Sequence, residues 1–177
     1  MDIIVNGSQA AFLNSLWTNN FFNNNMKTFL FKFHNNTLGY NSAVAHFVRG
    51  QSPDCTFCNI ARDGNIKTET GVHLFYECTY ASTVIDSIFS RVTNVDNFAY
   101  SRREFFTTFE RRDFSFSKNM ALTISSKLVI KTLWDCKLRF CLPSVEDCWD
   151  LLKDEISVLK STNKKFSKLW NNTDFLP

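Results

Sequence analysis

Four metal-ligand side chains stand at a fixed spacing in the stretch CTFCNIARDGNIKTETGVHLFYEC, residues 55–78. The spacing is C-x2-C-x14-H-x4-C, and its members are Cys55, Cys58, His73 and Cys78. Two cysteines separated by two residues form a tight turn whose sulfurs face one point, and three thiolates with one imidazole are the ligands of a tetrahedral structural zinc. We therefore expect a structural Zn²⁺ to join the two ends of this stretch.

Two other interpretations of these cysteines stay open at this stage. They could be reduced core thiols, or the first two could form a redox-active pair, which would need a strand-to-helix context that we do not find here. A catalytic metal is disfavoured because four protein ligands leave no open position for water. We interpret Asp54, Asp63 and Glu69 as solvated loop residues, because three sulfurs already satisfy a soft metal.

The scarcity of chain-breaking residues favours long helices over the many turns of a β-sandwich. The 177 residues include five glycines, three prolines and nineteen phenylalanines, so apolar material for a core is ample. We predict a mainly α-helical fold with one domain over residues 1–177. A small inserted zinc segment would cover 54–80, and a C-terminal helical part would cover 99–172.

Helical periodicity and capping signals give the expected elements. Gly39 is predicted to take a left-handed turn, Ser101 and Glu104 form a capping-box pattern, and Pro143 is expected to end the longest helix. The predicted helices cover residues 8–17, 26–33, 41–50, 81–92, 101–111, 117–140 and a last segment that begins after Pro143.

The last predicted helix has the clearest period. Its apolar positions alternate in steps of four and three, which is a heptad seam with one polar member. The seam could pack against the 117–140 helix of the same chain, or it could form a homodimer or partner interface in which Asn163 fixes the register. The candidate interface residues are Leu152, Ile156, Leu159, Asn163, Phe166 and Trp170.

The chain shows no apolar run long enough to span a membrane and no secretory signal pattern at its start. We therefore expect an intracellular protein, nuclear or cytoplasmic, with no membrane partner. In that setting six cysteines are read as metal ligands or reduced thiols rather than as disulfides. We interpret Cys136, Cys141 and Cys148 as free core cysteines.

Positive charge is concentrated in the second half of the chain. Residues 99–177 carry fourteen basic and ten acidic side chains, whereas 55–98 carry three and five, so attraction to phosphate should come from the C-terminal part. A solvated helix surface would show the same pattern, and this alternative applies to a lysine stripe at 153, 160, 164 and 168 as well. The candidate phosphate contacts are Arg102, Arg103, Arg111, Arg112, Lys127 and Lys131.

The residues around the metal motif resemble a known family. FLFKFHNNTLGYNSAVAHFVRGQSPDCTFC, ETGVHLFYECTYA and KTLWDCKLRFCLPS together are similar to the region that follows the polymerase in non-LTR (LINE-type) retrotransposon reverse transcriptases. The likeness covers roughly residues 26–145 and includes all four ligand positions. It implies a zinc-binding accessory module that holds element RNA or target DNA, with a polymerase domain in the same polypeptide.

Catalysis is not expected from this segment itself. It contains no Asp-Asp dipeptide, so the carboxylate pair that holds the polymerase Mg²⁺ is missing. Asp135 and Lys137 imitate the end of a restriction-like nuclease site, but they fall inside a predicted helix. Phe57, Phe75 and Tyr76 could stack on bases, and we expect them instead to pack beneath the metal.

Two functions from different classes follow. The first is a non-catalytic, zinc-stabilised module that binds RNA or DNA. The alternative is a domesticated protein-interaction or dimerisation module that uses the heptad seam. We favour the first because of the family resemblance.

Overall fold

The computed structural model describes residues 21–175 together with Asn14 and Thr18. The helix predicted over 8–17 lies, apart from Asn14, outside the described residues. The fold is mainly α-helical, as predicted. The elements are α1 (Asn24–His34), α2 (Asn41–Val44), α3 (Thr56–Ile60), a π-helical turn (His73–Glu77), α4 (Thr79–Thr93), α5 (Arg102–Phe106), α6 (Phe116–Leu138), α7 (Val145–Thr162) and α8 (Lys164–Asn171).

Helix α6 is the centre of the structure. Residues 119–130 are buried without interruption, so this helix has no solvent-facing side over three turns. Helices α1, α4, α5, α7 and α8 all contact it. A helix covered on every side is a core element, yet within residues 21–175 no helix is long and apolar enough to cross a membrane.

The end of α6 differs from the prediction. The helix ends at Leu138 rather than at residue 140, and Pro143 lies well beyond that end. Phe140 adopts a left-handed conformation with φ of 51°, and the Cys141 N–H donates to the Cys136 carbonyl at 3.1 Å. This is a Schellman-type ending, in which the left-handed residue turns the chain back over the last helical turn.

The end of α1 uses asparagine where we predicted glycine. Gly39 is not left-handed; the left-handed residue is Asn36, with φ of 53°. Asparagine tolerates this conformation because its short polar side chain can bond locally. The Asn-rich segment also starts α1, because the Asn23 side chain accepts a hydrogen bond from the Met26 N–H at 2.9 Å.

The predicted last helix is two helices. It starts at the predicted Ser144 cap, but the chain leaves helical geometry at Asn163, with φ of −128° and ψ of 101°. The Asn163 side chain then accepts hydrogen bonds from the N–H groups of Lys165 and Phe166 and caps α8. Asn163 therefore separates two helices, and it does not act as a register-fixing seam position.

The seam residues pack within the same chain. Leu152, Ile156, Phe166 and Trp170 each expose 2% or less of their surface, and Leu159 is partly buried against the same core. Helix α7 contacts α4 and α6, while α8 contacts α6 and α7. Of the two alternatives for the seam, packing within the same chain is therefore the one that the structure contains, because these side chains have their partners in the same chain.

Aromatic rings join the metal-binding segment to the helices. Phe75 of the π-helical turn lies 5.6 Å from Phe33 of α1 and 6.4 Å from Trp134 of α6, measured between ring centroids. Phe33 in turn stacks on Phe106 of α5 at 5.7 Å. Such pairs add to the free energy of burial, so one cluster of rings connects four elements.

Lys127 lies inside this core, although we predicted that it would contact phosphate. It is fully buried, and its ammonium nitrogen donates to the carbonyls of Phe105 and Phe106 at 3.1 and 2.9 Å. The prediction is therefore wrong for Lys127. Burial lowers the pKa of Lys127 from 10.5 to about 7, because the charged form loses its hydration.

This shift makes stability depend on pH in a definite direction. Since the folded-state pKa lies below the unfolded value, the unfolded chain binds more protons between pH 7 and 10.5, and the free energy of unfolding should rise with pH across that window. We expect a rise of a few kcal/mol, at about 1.36 kcal/mol per pKa unit. Lys127→Met should remove this slope. Denaturant unfolding of both proteins across the window measures it, and equal slopes would contradict a depressed Lys127 pKa.

Candidate metal centre

The four predicted ligands converge on one point. The Cys58 sulfur lies 3.5 Å from His73 Nε2 and 3.9 Å from the Cys78 sulfur, and the Cys55 and Cys78 sulfurs are 4.0 Å apart. All four ligand atoms lie within 4.8 Å of one another, and all four residues are buried. The sulfur separations are far above the about 2.05 Å of a disulfide. The group can therefore hold a single metal ion.

The first two ligands are positioned by a short helix and a returning loop. Cys55 precedes the first residue of α3 and Cys58 lies within that helix. The loop comes back antiparallel, so the Cys55 N–H donates to the Lys67 carbonyl at 2.8 Å, and Asp54 pairs with Thr68. This pairing holds both sulfurs toward the second half of the segment.

The second two ligands are brought together by the π-helical turn. In a regular α-helix, residues five apart are separated by about 140° around the axis. Here the Cys78 N–H donates to the His73 carbonyl at 2.7 Å, five residues back, and Cys78 itself is extended with ψ of 122°. A single π turn of this kind often marks a functional site, and in this protein it places His73 and Cys78 on one side.

Helix starts favour the charged form of the ligands. Cys78 caps α4, and its pKa lies below the usual value because the Cys55 thiol donates to it and the N–H groups of Ala81 and Tyr80 point at it. The same hydrogen bond to Cys78, together with burial, raises the pKa of Cys55. Burial lowers the pKa of His73 and keeps its imidazole neutral, as a ligand must be. An arriving metal ion would displace the shared proton.

Glu69 corrects the interpretation of the loop acids. We predicted a solvated residue, but its exposed fraction is 0%. Its carboxylate accepts hydrogen bonds from the N–H groups of Asn41 and Thr56, both at 2.9 Å, and from the Thr56 hydroxyl at 2.7 Å. It is therefore a structural anchor of the metal-binding segment, since Thr56 follows the ligand Cys55 directly.

Lys137 of α6 supplies the opposite charge. Its ammonium nitrogen lies 3.1 Å from Glu69 Oε1, donates to the Gly39 carbonyl at 3.0 Å and sits 4.7 Å from the centre of the Trp134 ring. Asp135, the other half of the nuclease-like pattern, pairs with Lys131 on the same helix. Both residues therefore have structural partners.

We expect that breaking the buried ion pair destabilises the fold strongly, since removing one partner leaves a buried charge. Glu69→Gln should lower the free energy of unfolding by about 3 kcal/mol. The double variant Glu69→Gln, Lys137→Met should lose less unfolding free energy than the sum of the losses in the two single variants, and a double-mutant cycle measures that difference. Asp135→Asn breaks a partly exposed pair on the same helix and serves as the control, with a loss below about 1 kcal/mol. Equal losses for Glu69→Gln and Asp135→Asn would contradict this role.

Some of the predicted phosphate contacts are exposed, and others are already paired with carboxylates of the same chain. Arg102, Arg103 and Arg112 are exposed. Arg111 donates to Glu104 at 2.7 Å and covers the Phe98 ring, with its guanidinium 4.5 Å from the centre. Lys131 pairs with Asp135, as described above. The structure thus leaves three of the six predicted residues open to a partner.

The aromatic residues of the metal-binding segment are packed. Phe57 and Phe75 have no exposed surface, and Tyr76 is partly buried against Phe105 and Phe106, with ring centroids 6.2 and 6.1 Å away. The three rings pack within the protein, as expected, and Phe57 and Phe75 are not available for stacking on bases.

Comparison of the chain with protein-family models, with curated proteins and with solved structures finds no match. The resemblance to the post-polymerase region of LINE-type reverse transcriptases therefore stays a prediction from the motifs.

Proposed function

We propose that this protein is a zinc-stabilised helical module that binds RNA or DNA and has no catalytic role of its own. Its metal would hold the binding surface in shape, and exposed arginine and lysine side chains would contact phosphates. One contact carries this proposal. The segment that follows α5 contacts the segment that follows α8. Arg112 and the lysines of α8, which are distant in sequence, therefore belong to neighbouring parts of the structure.

The ligand set and its dimensions fit zinc. With Zn–S bonds of about 2.3 Å and a Zn–N bond of about 2.0–2.1 Å, the edges of a tetrahedron would be about 3.8 Å between sulfurs and about 3.6 Å between sulfur and nitrogen. The distances of 3.9 and 4.0 Å between sulfurs and 3.5 Å to His73 are close to these values. Four protein ligands complete the coordination shell, which is typical of a structural ion.

Contacts of the segment after α8 support a shared surface. Phe114 lies 6.4 Å from Phe175 between ring centroids, and Lys118 pairs with Asp174 at 2.9 Å. Arg112 comes shortly before Phe114. Helix α8, which ends at Asn171 just before that contact, carries three lysines and no acidic residue. Two of those lysines, Lys164 and Lys168, belong to the predicted stripe and are exposed.

The same surface begins beside the metal centre. The Arg102 guanidinium lies 4.0 Å from the carboxylate of Glu77, which precedes the ligand Cys78. Both side chains are about half exposed, so this ion pair contributes little to stability and could exchange for a phosphate. Loss of the metal would therefore disturb one edge of the proposed surface.

A salt series tests the binding. We expect the affinity for a fluorescent single-stranded RNA or duplex DNA to fall steeply as salt rises, because phosphate contacts release counterions. The double variant Arg103→Ala, Arg112→Ala should weaken binding and reduce the slope of log affinity against log salt by about 2 for a duplex. Fluorescence anisotropy measures both quantities.

A matched control removes the same charge elsewhere. Lys32→Ala with Arg49→Ala changes two exposed cations of α1 and the segment after α2, and should leave the slope unchanged. Absence of salt-dependent binding, or an equal loss in this control, would contradict the proposed surface. The resemblance further implies a polymerase domain in the same polypeptide, which the mass of the endogenous protein would reveal.

A further inference from the structure

Three cysteines outside the metal centre meet where α6 ends and α7 begins. Cys136 lies in the last turn of α6, Cys141 in the segment that follows, and Cys148 in the first turn of α7. Cys136 and Cys148 are buried, whereas Cys141 is partly exposed. All three are free thiols, and none takes part in the function proposed above.

The Cys136 sulfur lies beside a guanidinium and near two further thiols. Arg139 Nη2 donates to the sulfur at 3.8 Å, and the Cys141 thiol donates to the Cys136 carbonyl at 3.6 Å. The Cys148 thiol first, and then the Cys141 thiol and Arg139, lower the pKa of Cys136 to about 6 against the opposing effect of burial. A thiol held as thiolate beside a guanidinium is the nucleophilic form of cysteine.

The arrangement suits sulfur exchange better than metal binding. Among the described residues, the only group whose ligand atoms all lie within 4.8 Å of one another is the metal centre. Cys136 instead neighbours Cys141, whose thiol donates to the Cys136 carbonyl, and Cys148, whose pKa it raises. One central thiolate with a neighbouring thiol is the arrangement of a sulfur that can be oxidised and then resolved.

We propose that Cys136 is a hydroperoxide-reactive thiol whose oxidised form is resolved by Cys141 as an intramolecular disulfide. The thiolate attacks one peroxide oxygen, the O–O bond breaks, and the departing alkoxide or hydroxide takes a proton from solvent. The resulting Cys136 sulfenic acid is attacked by the Cys141 sulfur, which loses its proton. The S–S bond forms and the sulfenic oxygen leaves as water.

Cys141 is the better-placed resolving residue. It lies outside any helix, and its sulfur is already 3.6 Å from the Cys136 carbonyl. The preceding Phe140 is 76% exposed, and Cys141 itself is only partly buried against the core. Cys148 is embedded in α7, and its sulfur could move only with the helix.

The test uses the whole, metal-loaded chain and hydrogen peroxide in stoichiometric amount. We expect peptide mapping by mass spectrometry to find a Cys136–Cys141 linkage, with the loss of two hydrogens and with the metal retained. Cys141→Ser should leave Cys136 as a sulfenic acid that dimedone traps. Arg139→Gln should slow the reaction several-fold, while Lys32→Gln, a change in another exposed cation, should not.

Three outcomes would overturn the inference. They are a linkage of Cys136 to Cys148, oxidation that begins at the metal ligands with release of the ion, and absence of a dimedone adduct at Cys136 in Cys141→Ser. The unsubstituted protein alone decides the first two, so the inference stays falsifiable if the Cys141→Ser variant folds poorly.

Discussion

The convergence of Cys55, Cys58, His73 and Cys78 on one point is the constraint on which the arrangement of residues 54–80 depends. The segment has little regular structure of its own: α3 has five residues, the π-helical turn has five, and a single bridge pairs Asp54 with Thr68. Helices this short are not stable alone in water. We propose that one ion, held by four ligands from both ends of the loop, supplies the stabilisation that local hydrogen bonds lack.

The C-terminal half of α6 ties the metal centre to the helical core by both charge and ring contacts. Lys137 meets the buried Glu69, and Trp134 meets the ring of Phe75, which lies between two ligands in sequence. The buried ion pair stabilises the fold only because further hydrogen bonds satisfy both groups. The fold of the small segment and the packing of α6 are therefore coupled, and the proposed phosphate-binding surface begins beside this junction.

Local signals predicted the parts of the structure that local chemistry determines. The ligand spacing, the Ser101–Glu104 capping box and the Ser144 cap all act within a few residues, and the structure contains each of them. Glu69 and Lys127 could not be assigned in this way. The partner of Glu69 lies on α6, and Lys127 is buried by a core built from five helices. The sequence around a lysine does not show whether its ammonium group faces solvent or a pair of backbone carbonyls.

The dependence of stability on bound zinc tests the central claim most directly, by measuring the free energy of unfolding with and without a chelator. We expect the isolated protein to hold one zinc per chain and to lose several kcal/mol of stability on chelation. Cys58→Ser should show the same loss without chelator and no further response to it, whereas Cys141→Ser, which lies outside the metal centre, should still respond. A free energy of unfolding that changes neither with the chelator nor with Cys58→Ser would contradict the claim that a metal ion organises this fold.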